Sequence, residues 1–314
     1  MNEEQTFQAF KAAKDREAIG TDRSSKELRD LAAGVRARGV FTARGTSVVF
    51  AEKLKEIIDL VVSGEMDETT ARWMLGETLK SLGYTPEGGF PDAPVGAVPP
   101  AVRGTLLDLS SKRRLDFIIR TQVDLMRGAG EQLRGMERQA LAQFPCWELV
   151  RVYNVRMPRD WPSRWQSVGG RMYEGRMIAP KGDVIWGELG SSFEDSLDVD
   201  YPPFAFNSGM GWRPVTRAEA TRLGVTATGG GGWKDFIEGV ERPRVIAGRL
   251  PLPAPRIAVK TATPEMIKRI DPQAVVVEGT VTTQSDKAAL LAQLEARKQA
   301  REARRAQRME EALR

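Results

Sequence analysis

Apolar positions in the first third of the chain recur at helical spacing. From Val48 to Val62, Phe50, Leu54, Ile57, Ile58 and Val61 fall three and four residues apart, which predicts a helix with one buried face. Beyond Gly64, Asp67 is a fitting N-cap for a second helix through Leu82, with Gly83 placed to end it. The two read as an antiparallel helical pair. Upstream, residues 5–38 are helix-compatible but weakly amphipathic; Phe7, Phe10 and Ala13, then Leu28, Leu31 and Val35, give narrow faces that need a partner surface. A further helix, capped by Ser110 or Ser111, carries Leu115, Ile118, Ile119, Val123 and Met126. It is expected to run loosely to Gln143 across Gly128, Gly130 and Gly135, with Arg113, Arg114 and Arg120 on a solvated side.

The period changes after Phe144. Leu149, Arg151, Val152, Asn154 and Val155 approach a repeat of two, which predicts a half-buried strand. The stretch that follows, to Val215, mixes prolines, glycines and large aromatics, and reads as a rigid, loop-rich surface rather than a regular sheet. Thr216 and Glu219 fit a capping box at the start of a short helix ending at Gly224. Residues 226–232 read as a flexible connection; no Gly-Lys-Ser/Thr follows, so the run is not a phosphate-binding loop. Residues 241–262 are Pro- and Arg-rich and extended. Thr263-Pro264-Glu265 starts a short helix, and Ala274 to Val281 suggests a strand. A terminal helix from Ser285-Asp286, roughly 30 residues and about 45 Å long, carries Arg297, Lys298, Arg301, Arg304, Arg305 and Arg308.

Proline and glycine concentrate from Pro86 to Gly104, where a helix or central strand cannot be sustained. The chain therefore divides into a helical N-terminal region (1–85), a Pro/Gly linker (86–104), a compact mixed α/β central domain (105–225), a flexible Gly/Pro-rich arm (226–262), and a short helix and strand with the basic C-terminal helix (263–314). The class is α+β.

Composition narrows the chemistry. The 314 residues are 41% hydrophobic, enough for a modest core, and the formal charge is +5 with a pI near 9.4. A single cysteine, Cys146, excludes an internal disulfide and reads as a buried small hydrophobe. The absence of histidine removes Ser-His-Asp catalysis and His-containing zinc sites. No apolar run is long enough for a membrane span, and Met1-Asn2-Glu3-Glu4-Gln5 does not open like a signal peptide, so synthesis in the cytoplasm is expected. Arg156, Arg159 and Arg164 beside Trp161 and Trp165 suit either phosphate and base contacts or the packing of arginine stems over indoles, with packing the stronger expectation. Glu194, Asp195, Asp198 and Asp200 lack the spacing of a calcium loop and read as a solvated acidic turn. The basic terminal helix fits solvent, packaged DNA through nonspecific phosphate contacts, or an acidic groove of another protein.

The central stretch carries a resemblance. Phe144-Pro145-Cys146-Trp147-Glu148-Leu149, then Arg159-Asp160-Trp161-Pro162-Ser163-Arg164-Trp165 with Gly169-Gly170, then Met177-Ile178-Ala179 with Trp186, and finally Pro202-Pro203-Phe204-Ala205-Phe206-Asn207-Ser208-Gly209-Met210, resemble the Mu F-like head morphogenesis group, the minor head proteins of tailed bacteriophages and prophages. The likeness covers about residues 100–225. It implies a structural protein of the virion head, assembled in the bacterial cytoplasm and attached to the portal or the inner capsid. The implied partners are the portal protein, the major capsid protein and packaged double-stranded DNA, with no membrane, metal, cofactor or catalytic residue. Trp147, Arg159, Trp161, Arg164, Trp165, Trp186, Pro203, Phe206 and Asn207 are then the candidates for a fold-defining core or contact surface. Two other classes stay open: an enzyme, since some proteins of this group are fused to ADP-ribosyltransferase or peptidase modules, and a nonspecific nucleic-acid-binding protein.

Overall fold

The computed structural model describes residues 9, 16–22, 24, 28, 39–91, 93, 99–227 and 232–240, with strand positions 276–277 and 280–281. The class is α+β, as its helices and its four-stranded sheet show. Two short parallel strands, β1 (Glu17–Ala18) and β2 (Gly39–Val40), come first. At Glu17–Ala18 the chain departs from the helical reading of residues 5–38, because its backbone partner is supplied by β2.

Three helices follow. The Ser47 hydroxyl accepts the Phe50 N–H at 3.2 Å to open α1 (Val48–Ser63), and Gly64 closes it in the left-handed region at φ 84°. Asp67 accepts from the backbone of Thr69 and Thr70 to start α2 (Glu68–Ser81). Ser111, rather than Ser110, caps α3 (Lys112–Gly135) through the Arg114 N–H. All three helices fill one aliphatic core, in which Leu54, Ile57 and Ile58 meet Leu75 and Leu79 and then Ile119 and Val123. Arg72 also reaches Asp116 at 2.7 Å, tying α2 to α3. The helix expected to open the central domain thus completes the helical one, because its stripe supplies the surface that α1 and α2 lack.

The described part of the supposed linker is fastened to that core. Thr85 and Gly89 exchange backbone hydrogen bonds, the Ala101 N–H donates to the Pro86 carbonyl at 2.8 Å, and Phe90 is buried beside Tyr84 and Phe50. Arg114 is also misplaced by a solvated-face reading: its guanidinium donates inward to Thr42 Oγ1 and the Ala43 carbonyl. Arg113 and Arg120 are exposed.

The helix does not run on to Gln143. It stops at Gly135, and α4 (Arg138–Gln143) starts afresh. The next segment, expected as loop-rich surface, contains an antiparallel sheet in the order β4 (Met172–Tyr173), β5 (Arg176–Pro180), β3 (Cys146–Arg151), β6 (Met210–Val215). The strand lies earlier than the alternation at Leu149–Val155 suggests. Cys146 to Leu149 are all buried, since both faces of the sheet are covered and no period of two survives. Trp147, Leu149 and Trp212 share a core with α5 (Trp161–Ser167) and α6 (Ile185–Ser191), whereas Cys146, Ile178 and Val215 pack with Ala220 of α7 (Arg217–Arg222). An unforeseen helix, α8 (Trp233–Gly239), sets Phe236 and Ile237 against Met136 and Leu141.

The glycines of α3 are points of close approach. A Cβ on Gly128 would stand 1.9 Å from the Pro202 carbonyl oxygen, and one on Gly135 would stand 2.1 Å from the Trp147 ring. Tyr153 adds a hydrogen bond from its hydroxyl to Asp124 at 2.8 Å, so α3 is the seam between the two cores. Toward the end of the chain, β7 (Val276–Val277) and β8 (Thr280–Val281) form an antiparallel pair where one strand was expected. The arm at 241–262, the helix from Thr263 and the basic helix with Arg297, Lys298, Arg301, Arg304, Arg305 and Arg308 lie outside the described residues.

Candidate functional site

Aromatic rings in Pro- and Gly-rich sequence can pack only where backbone turns bring them together, and here the turns of the central domain do so. Trp147 stacks on Trp212 with ring centres 4.8 Å apart and planes within 4°. Trp186 meets Trp212 edge-on at 5.3 Å, Trp165 lies 5.4 Å from Trp186, and Trp161 lies 6.4 Å from Phe204. All five indoles are buried. Two are oriented by hydrogen bonds: Trp186 donates to the Pro180 carbonyl at 2.9 Å and Trp165 to the Arg171 carbonyl at 2.8 Å.

At the edge of this core two arginines converge on one carboxylate. Arg164 reaches Asp195 Oδ1 at 2.9 Å, and Arg159 donates through Nε to Oδ2. Arg159 also donates to the carbonyls of Phe206, at 2.7 Å, and Asn207, at 3.2 Å. The Arg164 guanidinium lies over the rings of Trp161 and Phe193. Burial pushes the Asp195 carboxyl up, but the hydrogen bond from Arg164 and the charge of Arg159 outweigh it and hold the group below the ordinary carboxylate range. Asp195 is therefore engaged in this clamp, not merely solvated. Arg156 is exposed and takes no part in the contacts described. Pro203 is buried and accepts the Ser208 hydroxyl at 2.6 Å, while Asn207 is exposed with φ 49°. The structure thus brings Trp147, Trp161, Trp165 and Trp186 into one core, and Arg159, Arg164, Phe206 and Asn207 into one clamp.

Other polar centres carry no local sequence signal. Glu148, on β3, receives Arg176 from one neighbouring strand and Arg213 from the other, and Glu219 takes the remaining arm of Arg176 at 2.8 Å. The Thr216 hydroxyl does accept the Glu219 N–H, but the Glu219 carboxylate turns to the sheet. Lys181 is buried and donates to the Gly135 carbonyl at 2.9 Å, its ammonium 3.9 Å from the centre of the Trp147 ring. Burial, aided by the charge of Arg134, pushes this amine down to about 7. Burial also pushes the Cys146 thiol up to about 12, which removes the thiolate needed for nucleophilic chemistry. Among the described residues no group of three or more acids and cysteines is placed to hold a metal ion.

A cavity of about 110 Å³ lies at the seam. Phe117, Gln122 and Leu125 of α3 form one wall, Phe41 to Ala43 a second, and Leu197, Val199, Tyr201 and Phe206 a third. Arg16 and Arg114 both face it. The Arg159–Asp195 clamp fixes both ends of the third wall, since Asp195 precedes Leu197 and the Phe206 carbonyl is held directly. Sequence reading missed the cavity because its walls come from distant segments: Arg16 and Gln122, joined at 2.8 Å, are 106 positions apart. Comparison of the chain with protein-family models, with curated proteins and with solved structures found no match.

Proposed function

We propose that this chain is a structural minor head protein of a tailed phage or prophage, attached to the portal or the inner capsid surface. The observation that carries the reading is how the residues of the resemblance are used. In the Pro202–Met210 run, Phe204 is buried in the aromatic core, and Ser208 bridges the Pro203 carbonyl and the Met210 N–H. The Gly209 carbonyl accepts the Val152 N–H at 2.8 Å. Tryptophans and arginines of the earlier motifs are likewise spent on packing and on holding carbonyls. A motif used in this way suits a rigid body for contact with other proteins. The head partners are the portal protein and the major capsid protein, and the six basic residues from Arg297 to Arg308 suit packaged DNA.

Co-purification of the full chain, and of a version ending at Thr283, with the portal protein encoded beside it tests this across a range of salt. A stable complex with the full chain is expected. Loss of the complex on truncation places the contact on the basic segment. Absence of a complex with either form, together with salt-sensitive DNA binding, would replace this reading with the nucleic-acid-binding one.

A further inference from the structure

The arginines of this structure fall into two groups. Arg72, Arg159, Arg164, Arg176 and Arg213 each meet a carboxylate within ordinary ion-pair distance. Among the described residues Arg16 and Arg114, which face the seam cavity, meet neutral acceptors at hydrogen-bond distance. Arg16 is 5% exposed and donates to Gln122 Oε1 at 2.8 Å, to the Gly39 carbonyl at 2.6 Å and weakly to the Met126 sulfur, while its Nε has no hydrogen-bond partner among the described residues. The carboxylate that acts on it across the core is Asp59, which Lys55 already holds at 2.7 Å. Burial pushes the Arg16 guanidinium down to about 10, so it stays charged at neutral pH. Arg114 donates to Thr42 Oγ1 and the Ala43 carbonyl, and the charge it feels from Arg44 opposes its own. Two cations beside a cavity whose other walls include Phe117, Leu125, Leu197 and Phe206 leave a positive field in apolar surroundings, and among the described residues no carboxylate stands within ion-pair distance of either.

We infer that the seam cavity binds a small organic anion, a carboxylate carried on a short apolar body. The head pairs with the guanidiniums and the body lies against the aromatic and aliphatic walls. A cavity of 150 Å³ holds benzene, so this slightly smaller space suits a body of about four or five carbon atoms. The inference stands apart from the head-protein reading, since it concerns the interior of the chain and not its assembly partners.

The test uses the full chain, with pentanoate, pentanol and inorganic phosphate titrated at constant ionic strength and binding read by saturation-transfer NMR and by the shift in melting temperature. Saturable binding of pentanoate is expected, with pentanol at least tenfold weaker for want of the charge-assisted hydrogen bonds. Arg114→Gln should weaken pentanoate at least tenfold while near-ultraviolet circular dichroism keeps the aromatic core signal. The comparison of acid with alcohol needs no variant, so it decides the matter even if Arg114→Gln does not fold. Absence of saturable pentanoate binding, equal binding of pentanol, or phosphate matching pentanoate would each overturn the inference.

Discussion

The helical core around Leu54 and Leu75 is filled mainly by aliphatic side chains, whereas the sheet core around Trp186 is filled by indoles and edged by ion pairs. The difference lies in what each can tolerate. Aliphatic chains have no required orientation, so their loss costs roughly what the vacated volume dictates. The indoles of Trp165 and Trp186, each held by an N–H bond to a carbonyl, and the carboxylates shared by two arginines cannot lose one partner without leaving a polar or charged group unanswered in an apolar interior.

That contrast is broken most directly by truncating one residue in each core. Trp186→Ala should cost about 4 kcal/mol and Leu54→Ala about 3 kcal/mol. Urea unfolding should be followed both by tryptophan fluorescence, which reports mainly the sheet core, and by far-ultraviolet circular dichroism, which reports mainly the helices. Coincident transitions in both variants mean that the cores unfold as one unit. A fluorescence transition that precedes the dichroism transition only in Trp186→Ala means that the sheet core can be lost alone.

The seam sharpens the test. Gly128→Ala forces a methyl group against the Pro202 carbonyl and should cost about 2 kcal/mol, with the two transitions moving apart because the contact between cores is what was struck. The remaining test falls on Lys181. Its folded amine titrates near 7 against an ordinary value of 10.5, so between those limits the unfolded chain holds a proton that the folded chain has released. Wild-type stability should therefore rise with pH across that window and carry its full penalty below 7. Relative to Lys181→Met, the wild-type urea midpoint should gain between pH 7 and about pH 9.5; parallel curves for the two proteins would refute this account.

How much of the molecule could be read beforehand follows the same division. Gly64, Asp67 and Ser111 act within a few residues of themselves, so the end of α1 and the starts of α2 and α3 were legible. The sheet was not, because burial of both faces from Cys146 to Leu149 removes the alternation that marks a strand. Tryptophan clustering pointed to the right stretch and the wrong setting: prolines and glycines suggested surface, but they turn the chain so that the rings meet inside. Arg159 and Arg164 were singled out, yet their partner Asp195 lies 36 and 31 positions away. Arg16 and Lys181 gave no signal and Arg114 was read as solvated, since what distinguishes each of them is depth, with no carboxylate at ion-pair distance among the described residues.

The double engagement of α3 bears on how this chain can be inherited. A piece beginning at residue 105 would carry Leu115, Ile118, Ile119 and Val123 with nothing to cover them, and a piece ending at residue 85 would lack the third helix of its core. The Pro/Gly stretch between them looks like a natural crossover point and is not one. Recombination between related genes would have to exchange the two cores as a single block, or else bring a matching α3 with whichever half it replaced.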